Sequence, residues 1–408
     1  MMIPFSPPRI DQKIIDEVVA TLKSGWITTG PKTKLFEKKL TAYNGNKATL
    51  CLNSATAGLE IMLRWFGVKE GDEVIVPAYT YSATANVCMH VGAKIVLVDV
   101  NAADFNMSVK AVENAITERT KVIMPVDFGG LPCDMDEINA LVNRADIRAK
   151  FSANTEEQKT LGRILVMADS AHSIGAFYKG KHTGSLCDVA VFSFHAVKNL
   201  TTAEGGAVAL NLPAPFDNEE IYKALCIKTL HGQNKDALAK TQKGAWRYDI
   251  LEPGYKCNMM DIQASIGLVE LERYDAENLM RRKQIVDQYN ERLSKYDWAQ
   301  LPVHGTTDKI SSYHLYPLRI KGVTEEQRDA IITEISERDV SVNVHFIPLP
   351  MLNFYKGIGF DIKNYPVAFD NYAHEITLPL YFDLSDENVN VVLDAVIASV
   401  ELIKSKSA

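Results

Sequence analysis

The stretch from Val166 to Leu210 places an aspartate, a serine and a lysine where they could act on one ligand. Asp169 follows an apolar run, Ile164 to Ala168, that reads as a buried strand. Ser193 closes a second run that begins at Val189. Lys198 comes five residues later, in a turn before a third run, Ala207 to Leu210. Ligands of open α/β sheets bind outside the carboxyl ends of the strands, where Asp169 and Ser193 both fall. A carboxylate, a hydroxyl and a lysine around one crevice suit pyridoxal 5'-phosphate (PLP). That cofactor needs an amine to bond its aldehyde, an acid facing its ring nitrogen and donors for its phosphate. Each residue alone has an ordinary use, the lysine as a solvated charge and the aspartate as a turn or cap residue. The conjunction carries the expectation.

The elements that must hold these groups follow from periodicity. Strands are expected near 48–52, 73–77, 94–98, 121–126, 163–168, 189–194 and 205–210, and helices near 55–66, 82–91, 108–117 and 134–144. Such alternation predicts a mainly parallel seven-stranded sheet sandwiched by helices, an α/β architecture. The last strands lack a helix between them, which predicts a mixed edge. In the first crossover, the strand ATLCL runs through Asn53-Ser54-Ala55-Thr56-Ala57-Gly58 straight into an apolar helix. Small residues there leave backbone N–H groups free for a phosphate, with Ser54 and Thr56 as added donors; capping by Asn53 or Ser54 is the plainer use. The next strand, EVIVP, leads to Tyr79 and Tyr81.

Composition sets the frame. The 408 residues, 47% hydrophobic and 23% charged, supply ample core for two or three domains. A net charge of −7 disfavours nucleic acid or an anionic membrane as the main partner. Six cysteines are scattered without CxxC or Cys/His metal spacing, which points to reduced thiols, no metal and a cytoplasmic location. No signal peptide or membrane span is expected.

Toward the N-terminus, Ile14, Ile15, Val18, Val19 and Leu22 share one face of a helix that Asp11 caps and Gly25 stops. Residues 145–162 are polar and poorly periodic, and read as a solvated helical or mobile surface excursion. Beyond 275 the pattern changes to a smaller α+β domain. It comprises a helix, the strand SYHLYPLRI, a helix over 324–338, the strand VSVNVHF ending near His345, and a closing helix over 386–403 capped by Ser385. The expected division is thus 1–275 and 276–408.

The texts DSAH, SFHAVKN and TTAEGGAV resemble the DegT/StrS sugar-nucleotide aminotransferases, PLP enzymes with the type I, aspartate-aminotransferase-like fold. SGWITTGPK, NSATAG, LEPGYKCNMMDIQASIGLVEL and ITLPLYFDLS extend the resemblance over nearly the whole chain. The resemblance implies that Lys198 is the catalytic residue that carries PLP, that Asp169 faces the ring nitrogen and that Tyr81 stacks on the ring. It also implies that Ala55, Thr56 and Ser193 hold the phosphate, with His172 orienting Asp169 or touching the cofactor. Asn258 is expected to reach the phosphate of a neighbouring subunit, so a homodimer with shared active sites is implied. Thr28, Thr29 and His345 are expected near substrate, with His314 and His195 as weaker candidates. The implied reaction moves an amino group from L-glutamate to a keto sugar nucleotide, a UDP-linked 4-keto sugar. Two positions depart from the family pattern: Ala55 stands where the family has glycine, and Cys257 replaces an aromatic. A sugar dehydratase of the same family is the first alternative, although those members carry histidine at the lysine position. A non-catalytic regulator is the second.

Overall fold

A computed structural model describes residues 2–235 and 247–406. Its centre is a seven-stranded sheet of β1 (Ala48–Leu52), β2 (Glu73–Pro77), β3 (Lys94–Val98), β4 (Thr120–Ile123), β5 (Leu165–Asp169), β6 (Val189–Ser193) and β7 (Gly206–Leu210). The strand order is β1-β7-β6-β5-β4-β2-β3. β7 pairs antiparallel with both β1 and β6, and the neighbouring pairs from β6 to β3 are parallel. The one reversed strand therefore lies inside the sheet, not at the expected mixed edge. Strand order is set by which strands pack together, and local sequence does not encode it.

Alternation along each strand sends side chains to opposite faces. Leu50, Leu52, Val74, Val76, Leu165 and Met167 enter the apolar cluster on one face. Cys51, Ile75, Val166 and Ala168 enter the cluster on the other. Burial on both faces is why these strands read as unbroken apolar runs.

The reversal of β7 has a local consequence. Its first residue, Gly206, pairs with the last residues of both neighbours, Leu52 and Ser193. The AEGG turn is thereby delivered to the same edge as the carboxyl ends of β1, β5 and β6. A Cβ on Gly206 would stand 2.3 Å from the Ala55 nitrogen, so only glycine permits this approach to the start of the helix Ala55–Trp65.

A third apolar cluster gathers Ile285, Tyr289, Leu318, Ile376, Val392 and Val396 around a three-stranded sheet of Ala299–Gln300, Tyr316–Ile320 and Glu375–Leu378. Ser385 caps the closing helix Asp386–Ser405, accepting from Asn388 N at 3.2 Å. The expected strand VSVNVHF is absent. Val340 and Asn343 make single bridges to Ile3 and Thr377, and the chain then bends toward the large sheet. Phe346, Leu349 and Tyr355 pack on the first cluster.

Two surface readings also change. Residues 145–162 form two short helices, Ala145–Lys150 and Glu156–Leu161, that bury Ile147, Gln158 and Leu161. They are helical, but tied down. In the helix Gln12–Ser24 the caps fall on Asp11 and Gly25, yet Ile15, Val19 and Leu22 are exposed. Among the described residues, no helix is long and apolar enough to cross a membrane, and no His/Cys/Asp/Glu group could hold a metal ion. The cysteines are all free.

Candidate active site

Outside the carboxyl ends of β1, β2, β5 and β6 lies a cavity of about 350 Å³. Ala55, Thr56, Tyr81, Asp169, His172 and Ser193 line it, together with Lys198 and His345. Most of the sequence-derived candidates thus converge. Thr28, Thr29 and Asn258 do not line it. They form a separate polar group, in which Asn258 Nδ2 donates to Thr29 Oγ1 at 2.5 Å. Asp261 holds the same corner: its carboxylate accepts from the backbone N–H groups of Gly30, Lys32 and Thr33 and caps the helix Pro31–Asn44. The SGWITTGPK and GYKCNMMD texts are therefore one structural unit. Its chain neighbours Ile27 and Met260 are exposed apolar side chains.

Asp169 ends β5 and is 7% exposed. Thr84 Oγ1 donates to its Oδ2 at 2.8 Å, and the Ala171 backbone N–H donates to Oδ1 at 3.2 Å. Thr80 Oγ1 lies 2.9 Å behind Thr84 Oγ1. Burial pushes the Asp169 carboxyl above the usual carboxylate range; the hydrogen bonds and the Lys198 charge pull the other way.

Lys198 sits in the turn after β6, its backbone N–H donating to His195 O at 2.9 Å. Desolvation brings its amine down to about 8, against the attraction of Asp169. A lysine that loses its proton this easily is a usable nucleophile and base near neutral pH.

The helix Ala55–Trp65 starts at the cavity. Ser54 caps it, accepting from Ala57 N at 3.1 Å. The N–H groups of Ala55 and Thr56, at the first two helical positions, have no intrahelical acceptor and sit at the positive end of the helix dipole. With the Thr56 and Ser193 hydroxyls they are a set of donors that could hold a phosphate. Gly58 lets that helix lie on the sheet, since a Cβ there would meet Val191 at 2.9 Å and Val208 at 3.0 Å. Tyr81, 64% exposed, lines the cavity with its ring centroid 6.0 Å from that of Phe346, whereas Tyr79 is packed in the core.

Four histidines line the walls: His195 is exposed and lies 3.6 Å from Glu204, and burial holds the other three toward the neutral form. His172 Nδ1 accepts from Gly129 N at 3.2 Å, which leaves its proton on Nε2. His314 Nδ1 lies 2.8 Å from Asn199 Oδ1, whose amide nitrogen already donates to Ser312 O. His345 Nδ1 lies 3.0 Å from Thr377 Oγ1. Burial, assisted by Lys198, holds all three imidazoles below their ordinary range, His345 down to about 3. Thr84, Glu375, Thr377 and the lining residues Phe5 and Phe346 escaped the sequence reading. A polar pair at alternate positions in the apolar strand EITL was the available signal for Glu375 and Thr377.

A desolvated lysine, a strand-end acid and free donors at a helix start, all around one cavity, fit PLP. The profile of the DegT/DnrJ/EryC1/StrS aminotransferase family matches residues 8–397. The chain is 49% identical to a Streptococcus pneumoniae protein assigned as a sugar aminotransferase and solved in its PMP form. The match has a TM-score of 0.94 and covers 98% of this chain and 100% of that one. The PLP form of that protein aligns equally well, at 47% identity and TM-score 0.94. The spore coat polysaccharide biosynthesis protein SpsC of Bacillus subtilis is 36% identical over 97% of this chain and 96% of its own length. Helicobacter pylori PseC, an aminotransferase involved in the biosynthesis of pseudoaminic acid, is 26% identical with TM-score 0.85, over 98% of this chain and 100% of that one. The cavity and the comparisons agree: this chain belongs to the DegT/DnrJ/EryC1/StrS aminotransferase family and is a PLP-dependent sugar aminotransferase.

Proposed function

We propose that the chain moves the amino group of L-glutamate onto the ketone of a sugar nucleotide, a UDP-linked 4-keto sugar, for cell-surface polysaccharide or lipid, in the cytoplasm. The carrying observation is the Lys198 amine beside buried Asp169, in a cavity whose wall also offers hydroxyls, the Glu204 carboxylate and three histidines that burial holds toward the neutral form. Uncharged hydrogen-bonding groups suit the hydroxyls of a sugar. The names of the Bacillus and Helicobacter relatives support a product for surface glycans. SGWITTGPK, NSATAG, SFHAVKN and LEPGYK are similar to those of UDP-4-amino-4-deoxy-L-arabinose synthase, which supports the UDP-linked 4-keto acceptor.

When bound, PLP supplies an aldehyde that holds the amino group and a ring that withdraws electrons from the carbon losing its proton. Lys198 Nζ holds the cofactor at rest. With its amine free, Lys198 would take the proton from the donor's α-carbon and return one to the product side. The Asp169 carboxylate holds a proton on the facing ring nitrogen, and Thr84 orients that carboxylate. Ala55, Thr56 and Ser193 bind phosphate, Tyr81 covers the ring, and His172 contacts the cofactor or steadies Asp169. His345 meets the sugar. Thr28, Thr29 and Asn258, outside their own cavity, serve the cavity of a second copy in a homodimer; their exposed apolar chain neighbours Ile27 and Met260 support that placement. Residues 1–275 form the cofactor domain and 276–408 the smaller one.

The test is the visible spectrum of the purified protein before and after L-glutamate. A cofactor band that bleaches to the pyridoxamine form is expected, followed by recovery of the band on adding a UDP-linked 4-keto sugar. A protein that stays colourless with added PLP sinks the site assignment. Bleaching without recovery on any 4-keto sugar nucleotide overturns the acceptor alone.

A further inference from the structure

Behind His345 runs a buried chain of hydrogen bonds that the reaction described above does not use. Thr377 Oγ1 lies between His345 Nδ1, at 3.0 Å, and Glu375 Oε1, to which it donates. Glu375 Oε2 accepts from the His345 backbone N–H at 3.0 Å. Tyr79 Oη donates to the His345 carbonyl at 2.7 Å, and the His345 ring stacks on Phe5 with centroids 5.5 Å apart. Glu375 and Thr377 are both fully buried, whereas the His345 ring lines the cavity. Two residues of one strand thus pin the imidazole through its ring and its backbone, leaving Nε2 for the cavity.

We propose that Glu375 and Thr377 form a proton relay whose port into the active site is His345 Nε2. The proposal deepens the reading above, and rests on it for the identity of the substrate. With Glu375 ionised, Thr377 donates to it and His345 Nδ1–H donates to Thr377, so Nε2 presents a lone pair. A proton arriving at Nε2 drives the Nδ1 proton to Thr377 and the Thr377 proton to Glu375. The outcome is a neutral carboxyl, an intact hydroxyl and an imidazole protonated on Nε2 only. One proton is gained and no imidazolium remains. Run backwards, the relay releases that proton at Nε2. Replacing a ketone oxygen by nitrogen expels the oxygen as water, which needs a proton at that oxygen. The relay supplies it there while Lys198 works at carbon.

The electrostatics favour this route over simple titration of the ring. Burial and the Lys198 charge hold His345 itself down to about 3, with His172 and His314 close by and also held neutral. Burial raises Glu375 to about 8, against hydrogen bonds from Thr377 and His345 and the charges of Arg328 and Arg319. Tyr79 also faces Glu375. The acid therefore accepts a proton near neutral pH that the imidazole alone would refuse.

Histidine-labelled protein, read by ¹⁵N NMR with His345→Gln to assign the signal, tests the relay without any turnover. The wild type is expected to pass from the Nδ1–H tautomer at high pH to the Nε2–H tautomer at low pH, with a midpoint near 8 and no imidazolium signal. Glu375→Gln and Thr377→Val should each abolish the transition, and Thr377→Ser should restore it. A tautomer that does not change with pH in the wild type, or a transition that survives Glu375→Gln, overturns the relay. In single turnovers, Glu375→Gln should slow the ketone half-reaction roughly 10²-fold while the L-glutamate half-reaction keeps its rate. Equal slowing of both halves would reduce Glu375 to a structural residue. A wild type that shows the tautomer switch but no reaction with glutamate would instead sink the proposed function and spare the relay.

Discussion

Two carboxylate–threonine pairs feed the same cavity in opposite order. In one, Asp169 lines the cavity and Thr84 stands behind it at 2.8 Å. In the other, His345 lines the cavity, Thr377 stands behind it, and the carboxylate of Glu375 is last in line. Both acids are pushed upward by burial. Only Asp169 is also drawn down by the lysine charge. A carboxylate at the front can hold a proton on a facing cation; one at the back can only receive protons passed along. Position within a hydrogen-bond chain, more than residue type, divides the labour.

Lys198 stands between the two systems, and its removal is expected to have the largest effect. Lys198→Ala should lower amino transfer by at least about 10⁴-fold, since bonding to the cofactor and proton movement at carbon are lost together. The lysine lowers the His345 imidazole and attracts the Asp169 carboxylate. The variant should therefore raise the pKa values of both groups, measurable by NMR in the cofactor-free protein. In the wild type, the rate of PLP uptake should rise with pH and level off above about 8, where the amine is unprotonated. A plateau near the ordinary lysine value, two units higher, would show that the amine is solvated and not desolvated by the cavity wall.

Asp169→Asn separates the front pair from the back pair. The amide keeps the shape and the Thr84 contact but removes the charge, so kcat should fall roughly 10²–10³-fold. Stability should move the other way. An acid whose folded pKa lies above its unfolded one costs stability as it ionises, so the cofactor-free fold weakens as pH rises from the ordinary aspartate range through the raised one. At neutral pH the Asn variant should melt about 2 °C higher than the wild-type apoprotein. Thr84→Val, which strips one hydrogen bond from the carboxylate, should cost only about tenfold in kcat. Calorimetry and steady-state rates together check the set. A less stable Asn variant, or one within tenfold of wild-type activity, would contradict the front-row role of Asp169.

The front pair was half legible in the sequence and the back pair was not. Asp169 ends an apolar run, and strand ends on one sheet edge are where ligands bind, so one local signal located it. Thr84 lies on a different element, 85 positions away. The seven large strands were readable because burial on both faces makes each a continuous apolar word. The placement of β7 was not, because pairing order is a tertiary choice. His345 is the last residue but one of a run, VSVNVHF, whose alternation mimics a strand. The run makes only single bridges, because Glu375, Thr377 and Tyr79 hold its end at the cavity instead. Local pattern loses to tertiary hydrogen bonding there. Thr28, Thr29 and Asn258 were legible as text, yet in this chain they bond within the 258–261 corner and do not line the cavity.

A third polar network sharpens the contrast by having no cavity at all. Gln158 is fully buried, donates from Nε2 to Phe66 O at 2.9 Å, and accepts from Asn154 N at 2.8 Å. Thr155 Oγ1 shares the Phe66 carbonyl at 3.3 Å, and its methyl fills the space above Gly67, where a Cβ would meet it at 2.3 Å. None of these residues lines the cavity. They fasten 145–162 to the end of the helix Ala55–Trp65, whose first turn borders the cavity. If fastening is all they do, Gln158→Ala should leave the Phe66 carbonyl with the Thr155 hydroxyl as its sole side-chain donor, strand the Asn154 amide, and cost about 1–3 kcal/mol of stability by denaturant unfolding. The kcat and the KM for glutamate should stay within twofold. A change in PLP affinity at unchanged fold would instead mean that strain at the far end of that helix reaches its first turn, and that the segment tunes the site.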